Sequence, residues 1–268
     1  MDQEKKKKKY KLCELESVLS EIETVIQNAI QERDVKTDKD NINFLLQTLG
    51  KSFVTTREII ILCWVGYPDG ALSLSRNLFE QFVHVAYIEG YEGTEKFDSI
   101  LEKYNDDYQY QRLKNLMWAA KNVYQSNEKV LQYKTKIEDI KAKYHIENRM
   151  KDYWWAELNT FSDMCDTVVQ QSGEYKLLIQ NMYLLYKRAC LALHSSCMGN
   201  KVRLGSNVSD IDMGPWDRGQ EMSLFLASSA LCFIVPSVYK AFNENYQKVQ
   251  HKLEKLSNYY YDLWKTRK

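Results

Sequence analysis

The sequence predicts an all-α fold, and three observations lead to that class. Only three prolines and ten glycines interrupt the 268 residues. The alternation of apolar and polar residues that marks a half-buried strand is nearly absent. Apolar residues recur instead every three or four positions over long stretches, which is the spacing of one helix face. We therefore expect a mostly antiparallel helical bundle with a projecting charged helical arm.

The length of the chain is enough for one large helical domain or two small ones, and we expect one. In this division the core bundle consists of residues 40–93 and 150–240. Residues 94–149 form the arm, and residues 1–10 form a basic tail.

Three helices are predicted in the first third of the chain. An amphipathic pattern from Leu12 to Ile30 predicts the first helix, and a polar connection follows it. A second helix runs to about Trp64. Gly66–Gly70 contains a strong turn signal, and a third helix follows it to about Tyr91.

The segment from Thr94 to Met150 is strongly charged, and its apolar stripe is narrow. This pattern predicts two largely exposed helices with a break near Ser126–Asn127. Two interpretations remain open, because such an arm can pair with a second subunit or form a solvated surface hairpin.

The second half of the core is predicted to begin at Tyr153, with a helix to about Val169 and another at about Glu174–Met198. The glycine-rich and polar segment Gly199–Trp216 is long for a connection between helices, and such loops are often lids or binding loops. A further apolar helix is predicted at Met222–Tyr239.

The segment Met222–Tyr239 has no charged residue, which raises the question of a membrane span. It contains four serines and Pro236, and it barely reaches spanning length. We therefore predict a buried central helix that is kinked at Pro236, and no association with a membrane. The last helix is expected from about Lys240 onwards.

Charge and cysteine usage limit the possible environments of the chain. A formal net charge of +1 argues against a whole-surface attraction to nucleic acid or to a membrane, so any such attraction must be local. The six cysteines show no paired pattern, which is typical of a reducing compartment and predicts a cytoplasmic location. The lysine run Lys5–Lys9 precedes a charged helix and so does not mark a secretory signal. It is either a solvated tail or an arm that contacts phosphate or lipid.

The third helix carries the first candidate site. Arg76, Glu80 and His84 follow one another at intervals of four residues on a helix that is otherwise apolar. Charged groups on such a helix must be paired, because burying them alone costs several kcal/mol. The group is either a structural network that holds helices in register or a polar active or ligand site.

A later helix carries the second candidate site. Tyr183, Lys187, Cys190, His194 and Cys197 fall near one helix face, directly before the long loop. Cysteine and histidine at these spacings can in principle hold zinc, but no Cys-x-x-Cys or His-Glu-x-x-His pattern accompanies them. We therefore predict no metal and no other cofactor.

Two motifs together resemble an uncharacterised bacterial family of unknown function. The pattern is Arg-x-x-x-Glu on an early apolar helix and Tyr-x-x-x-small-x-x-x-His on a late one, with tryptophan ahead of the second. The residues that carry it are Arg76, Glu80, Tyr186, Cys190 and His194, with Trp154 or Trp155. The resemblance covers roughly Asp69 to Ser196 and implies an all-helical fold without a settled activity. Cys190 stands where the pattern leads us to expect serine.

A looser resemblance is to the HEPN nucleases, helical bundles marked by an arginine, four to six intervening residues and then a histidine. Arg188 and His194 have this spacing. The resemblance implies metal-independent RNA cleavage at a dimer interface. His194 would move the proton of the ribose 2′-hydroxyl, and Arg188 would stabilise charge on the phosphate. Six residues turn a regular helix by about 600°, which leaves the two side chains about 120° apart, whereas Lys187 shares the face of His194 better.

These observations lead to two hypotheses. The first is a HEPN-like ribonuclease of the toxin or phage-defence type, which acts on RNA as a homodimer. Its catalytic residues would be His194, Arg188, Arg76 and Glu80, and its substrate-binding residues would be Lys187, Tyr186 and His84. The alternative is a non-catalytic binding or scaffold protein whose polar network is structural. In that case residues 94–149 would recruit a protein partner or form a dimer.

Overall fold

The computed structural model describes residues 2–32, 39–146, 153–193 and 219–266, and these contain nine α-helices and no β-strand. The predicted all-α class is confirmed. In chain order the helices are α1 (Asp2–Glu32), α2 (Lys39–Val65), α3 (Pro68–Glu89), α4 (Lys96–Asn122), α5 (Asn127–Tyr144), α6 (Phe161–Gln171), α7 (Lys176–Leu193), α8 (Gln220–Ala241) and α9 (Gln247–Thr266).

The chain divides into two compact units. The first contains Met1–Ala86 and Ser172–Lys268, and the second contains Tyr87–Gln171. The second unit therefore includes the residues of the predicted arm together with residues 150–171, which the sequence assigned to the core. The expectation of a single domain stays a prediction.

Helix α8 forms the centre of the first unit. It contacts α9, α2 and α7, and most of its residues are buried. Its serines do not leave unpaired hydroxyls in this core. Ser228 donates to the Leu224 carbonyl at 2.7 Å, and Ser229 lies 2.7 Å from Ser257 of α9. Serine that bonds to its own helix or to a neighbouring helix avoids the cost of burying an unsatisfied group.

Helix α8 is also long and apolar enough to span a membrane by composition, and it is the one such helix in the described parts of the chain. Of its most apolar stretch, 83% is buried inside the protein. A core helix passes the same test of length and hydropathy, so this helix is weak evidence for a membrane.

The end of α8 differs from the expected position. The helix continues through Pro236 to Ala241, and α9 begins at Gln247 rather than near Lys240. Asn243 lies in the connection with a φ of 55°. Asparagine is one of the few residues other than glycine that adopt this left-handed conformation routinely, which allows the helix to end here.

Helices α1 and α2 complete the first unit with an apolar seam and ion pairs beside it. The predicted amphipathic face of α1 is buried from Leu12 to Ala29. Arg57 of α2 donates to Glu16 at 3.0 Å and to Glu23 at 2.8 Å, both on α1. The hydrogen bond to Glu23 has the largest effect on the pKa of Arg57. Together with the bond to Glu16 it raises this pKa, although burial acts to lower it.

The second unit is built on α4 and α5, which form an antiparallel hairpin. Lys143, near the end of α5, bonds to Glu102 at 2.7 Å and to Asp106 at 2.8 Å near the start of α4. Trp155 is almost fully buried, and its ring lies 4.8 Å from that of Tyr104. The break between the helices occurs at residues 123–126, where the sequence predicted it.

Helix α6 begins later than expected. A 3-10 turn spans Trp154–Ala156, and α6 begins only at Phe161. The backbone amide of Thr160 donates to the carboxylate of Asp163 at 2.9 Å, and the amide of Asp163 donates to the Thr160 hydroxyl at 3.2 Å. This reciprocal capping box starts a helix, and its Thr-x-x-Asp pattern is readable in the sequence.

Candidate functional site

Aromatic packing sets α3 against α7 in the first unit. The ring centre of Phe79 on α3 lies 5.2 Å from that of Tyr186 and 6.1 Å from that of Tyr183, both on α7. Phe79 has no exposed surface, and Phe82 on the same side of α3 packs against Phe233 at 4.6 Å. These contacts bring the next residue on α3, Glu80, within reach of α7.

Arg76, Glu80 and Tyr186 meet at this contact. Arg76 Nε donates to Glu80 Oε1 at 2.9 Å, and the Tyr186 hydroxyl donates to the same oxygen at 3.2 Å. The guanidinium carbon of Arg76 lies 5.7 Å from the Tyr186 ring centre, within cation–π distance. The Arg76 and Glu80 side chains are each 26% exposed, so solvent reaches both charges.

Only part of each charged group is used in this network. Arg76 binds Glu80 through Nε, and its two Nη groups make no hydrogen bond to a described residue. Both hydrogen bonds to Glu80 are made to Oε1. The site therefore holds a fixed, partly exposed guanidinium whose terminal donors are available for an anion.

The surroundings keep the two donors in their protonated forms. Burial acts to lower the pKa of Arg76, but the charge of Glu80 and its hydrogen bond outweigh it and raise the pKa. Burial is also the largest cause that raises the pKa of Tyr186, followed by its bond to Cys190 and the charge of Glu80. Tyr186 is thus a hydrogen-bond donor at neutral pH and not a base.

His84 lies one turn after Glu80 and is half-buried. Its Nε2 has essentially no contact with solvent. Burial, with a smaller contribution from the charge of Lys51, lowers the pKa of His84 to about 4. The imidazole is therefore neutral at pH 7, and its Nε2 is not in contact with solvent.

The two neighbouring cations of α7 are exposed at its surface. The Lys187 ammonium lies 4.8 Å from the ring centre of Tyr183. Arg188 is exposed on the adjacent side of the helix and makes no ion pair with a described residue. Neither contacts Glu80, so the structure joins Arg76, Glu80 and Tyr186 but leaves Lys187 and Arg188 apart from them.

His194 and Cys197 lie outside the described residues, as does the segment Gly199–Trp216. The expectations that His194 joins the site and that this segment lies beside it stay predictions. Among the residues with described positions, no group of three or more histidine, cysteine or acidic side chains could hold a metal ion.

A buried polar cluster at the start of α8 was not predicted from the sequence. Gln220 Nε2 donates to the Cys63 carbonyl at 2.7 Å, and Cys63 Sγ lies 3.6 Å from the Ser223 hydroxyl. Glu221 is also buried and lines a small cavity with Tyr260. The cavity has room for about one water molecule and not for an organic substrate. The only available signal was the position of Gln220 and Glu221 directly before the charge-free segment.

The site lies within a region that matches a known family. The model of a family of unknown function, DUF5677, matches residues 42–211. The chain belongs to DUF5677. The resemblance drawn from the Arg-x-x-x-Glu and Tyr-x-x-x-small-x-x-x-His patterns is thereby confirmed, because both patterns lie inside the matched region. Membership in DUF5677 carries no activity, and none of the comparisons links the chain to HEPN nucleases. No curated protein and no solved structure matches this DUF5677 chain.

Proposed function

We propose that this DUF5677 protein is a metal-independent ribonuclease of the HEPN-like type, acting in the cytoplasm in a toxin or phage-defence role. The observation that carries the proposal is the partly exposed Arg76 guanidinium, which Glu80 fixes through Nε while both Nη groups stay available. A fork of donors held in this way suits a phosphate group.

In the proposed reaction the ribose 2′-oxygen attacks the adjacent phosphorus, and His194 accepts the proton of the 2′-hydroxyl. The bond from phosphorus to the 5′-oxygen of the next nucleotide breaks, this oxygen takes a proton from solvent water, and a 2′,3′-cyclic phosphate remains. Arg76 stabilises the charge that develops on the phosphate, and Glu80 keeps the guanidinium in place. The Tyr186 hydroxyl donates a hydrogen bond to Glu80, and its ring makes a cation–π contact with Arg76.

A homodimer is part of this proposal and is supported by the surface of α7. Leu177, Leu184 and Leu191 are exposed and recur every seven residues, which is the spacing of a seam between two helices. Arg188 lies between the second and third of these leucines. A second copy on this surface would add a cation from each subunit beside the segment that leads to His194.

The alternative is a non-catalytic binding or scaffold protein. The observation in its favour is that Glu80 accepts from Arg76 and Tyr186 on one oxygen, as a carboxylate that holds two helices together does. In that case the hairpin of α4 and α5 would recruit a protein partner.

An RNA-cleavage assay with matched variants tests the proposal. Labelled single-stranded RNA is incubated with the wild-type protein in the presence of a chelator, and the products are analysed for cyclic phosphate ends. We expect cleavage by the wild type, loss of cleavage in His194→Ala, and about a hundredfold or greater loss in Arg76→Ala. Arg57→Ala is the control, because it also removes an arginine paired with two carboxylates, but those belong to Glu16 and Glu23 of α1 and not to the site. Equal activity of Arg76→Ala and Arg57→Ala, or no activity in the wild type, would refute the ribonuclease.

A further inference from the structure

The end of the α4–α5 hairpin has an unusual charge. We call residues 108–136 the hairpin tip. This segment contains a single carboxylate, that of Glu128, and six exposed cations: Arg112, Lys114, Lys121, Lys129, Lys134 and Lys136. None of the six forms an ion pair with a described residue, whereas Lys143 near the other end of the hairpin pairs with Glu102 and Asp106. The positive charge of the tip is therefore open to a negatively charged partner.

The hairpin tip also exposes aromatic rings. Tyr108 and Trp118 are each 63% exposed, and Tyr124 is 70% exposed. Large aromatic side chains usually bury their rings in a core or an interface. Elsewhere in the same unit Trp154 and Trp155 do so. Exposed rings among cations are the combination that binds the bases and phosphates of an unpaired strand.

Trp118 and two of the cations share one face of α4. Lys114, Trp118 and Lys121 are separated by four and three residues, so their side chains lie along one side of the helix. The two lysines are about 10 Å apart along the helix axis. One indole between two ammonium groups matches a base that is flanked by its phosphates.

We propose that the hairpin tip binds single-stranded nucleic acid, with a base stacked on Trp118 and phosphates contacted by Lys114 and Lys121. A single strand is favoured over a duplex because the ring needs an unstacked base. This inference deepens the proposed function, since it assigns RNA capture to the second unit, but the binding itself does not depend on cleavage.

The distribution of apolar side chains favours nucleic acid over a lipid surface. A membrane-binding helix collects its apolar side chains on one face. Leu116 and Trp118 are exposed but lie about 160° apart around α4. The connection between the helices mixes the exposed Val123 and Tyr124 with the polar Gln125 and Ser126. The exposed apolar side chains of α4 are thus not gathered on one face that could insert into a membrane.

A binding measurement with the full chain tests this inference. The probe is a labelled single-stranded 2′-O-methyl RNA, which lacks the free 2′-hydroxyl that cleavage needs, and fluorescence anisotropy gives the Kd. We expect Trp118→Ala to weaken binding about 5- to 100-fold. We expect the double variant Lys114→Ala/Lys121→Ala to weaken binding further. The slope of the logarithm of the binding constant against the logarithm of the salt concentration should become shallower by about 0.7 for each lost phosphate contact.

Matched variants in the first unit serve as controls. Trp64→Ala removes another exposed tryptophan, and Lys255→Ala removes another exposed lysine. Both should bind the probe as the wild type does. Circular dichroism checks that every variant is folded, which we expect because Trp118 is mostly exposed.

The outcomes separate this inference from the proposed function. Binding that Trp118→Ala weakens and Trp64→Ala does not supports the hairpin tip, even if the wild type cleaves no RNA. No binding of the probe by the wild type, or equal binding by both tryptophan variants, would overturn it. Sedimentation with anionic vesicles but no binding of the probe would also overturn it and assign the surface to a membrane. A labelled duplex is measured in parallel, and binding of the duplex as tight as that of the single strand would overturn the stacking of an unpaired base on Trp118.

Discussion

The α3–α7 site and the hairpin tip both expose cations to solvent, but in the described part of the chain the cation is paired with a carboxylate at the first and unpaired at the second. At α3 and α7 the guanidinium of Arg76 is fixed by the carboxylate of Glu80 and covered by the ring of Tyr186. At the hairpin tip six cations have no ion-pair partner among the described residues, and the nearby rings are exposed. A paired, half-buried cation is suited to chemistry at one position, whereas unpaired exposed cations are suited to the capture of an anionic ligand.

The first prediction concerns the packing that aligns α3 with α7. Phe79→Ala removes a fully buried ring that contacts Tyr183 and Tyr186, and we expect the free energy of unfolding to fall by about 3–5 kcal/mol. Urea denaturation followed by circular dichroism measures the loss. Tyr108→Ala at the hairpin tip is the control. A loss below about 1 kcal/mol would mean that Phe79 does not support the site.

The second prediction concerns His84, whose pKa in the folded protein is about 4 against an ordinary value of 6.5. The unfolded state therefore binds more protons between these values, so this group makes the protein less stable as pH falls from 6.5 towards 4. The loss amounts to about 3 kcal/mol at pH 4 and below. Urea unfolding at several pH values should show a smaller pH dependence for His84→Gln than for the wild type. Identical pH profiles would contradict the buried neutral imidazole.

The third prediction concerns the Arg76–Glu80 pair. Because both side chains are partly buried, Glu80→Ala should lower the free energy of unfolding by about 1–2 kcal/mol, through the loss of two hydrogen bonds to the carboxylate. A double-mutant cycle with Arg76→Ala should give a coupling of about 0.5–1 kcal/mol. Zero coupling would show that the pair is no more than a surface contact.

The smallest expected effect on stability is at the hairpin tip. Trp118→Ala and Lys121→Ala should change the free energy of unfolding by no more than about 0.5 kcal/mol, because the exposed side chains make few contacts. The same urea titration measures both. A loss of 2 kcal/mol in Trp118→Ala would indicate that the ring is a structural element and not a free binding surface.

Local rules of helix geometry made much of the fold predictable from the sequence. The scarcity of proline and glycine and the period of the apolar residues were enough for the all-α class, and the four-residue spacing of Arg76 and Glu80 was enough for their pairing. The meeting of Glu80 and Tyr186, 106 residues apart, rests on tertiary packing through Phe79. Helix periodicity alone does not contain that information, and only the resemblance to a family joined the two segments.

His84 follows Arg76 and Glu80 at the same four-residue spacing but does not join their ion pair. Residues at intervals of four do not form a straight line along an α-helix, because each step adds about 40° of rotation. His84 is therefore about 80° around the helix from Arg76, which is enough to remove its Nε2 from solvent and from the Arg76–Glu80 pair. The buried Glu221 was not found for a different reason, since its environment is created by α1 and α9 and not by its own neighbours in sequence.

If RNA binding belongs to the hairpin tip and cleavage belongs to the α3–α7 site, steady-state kinetics on one RNA will separate the two groups of residues. We predict that Arg76→Ala lowers kcat strongly with little change in KM, because the guanidinium acts on the developing phosphate charge. Trp118→Ala should raise KM about 5- to 100-fold with kcat unchanged, because it removes binding alone. Loss of kcat in Trp118→Ala together with normal kcat in Arg76→Ala would show that Trp118 does not act in binding alone and that Arg76 does not act in the chemical step.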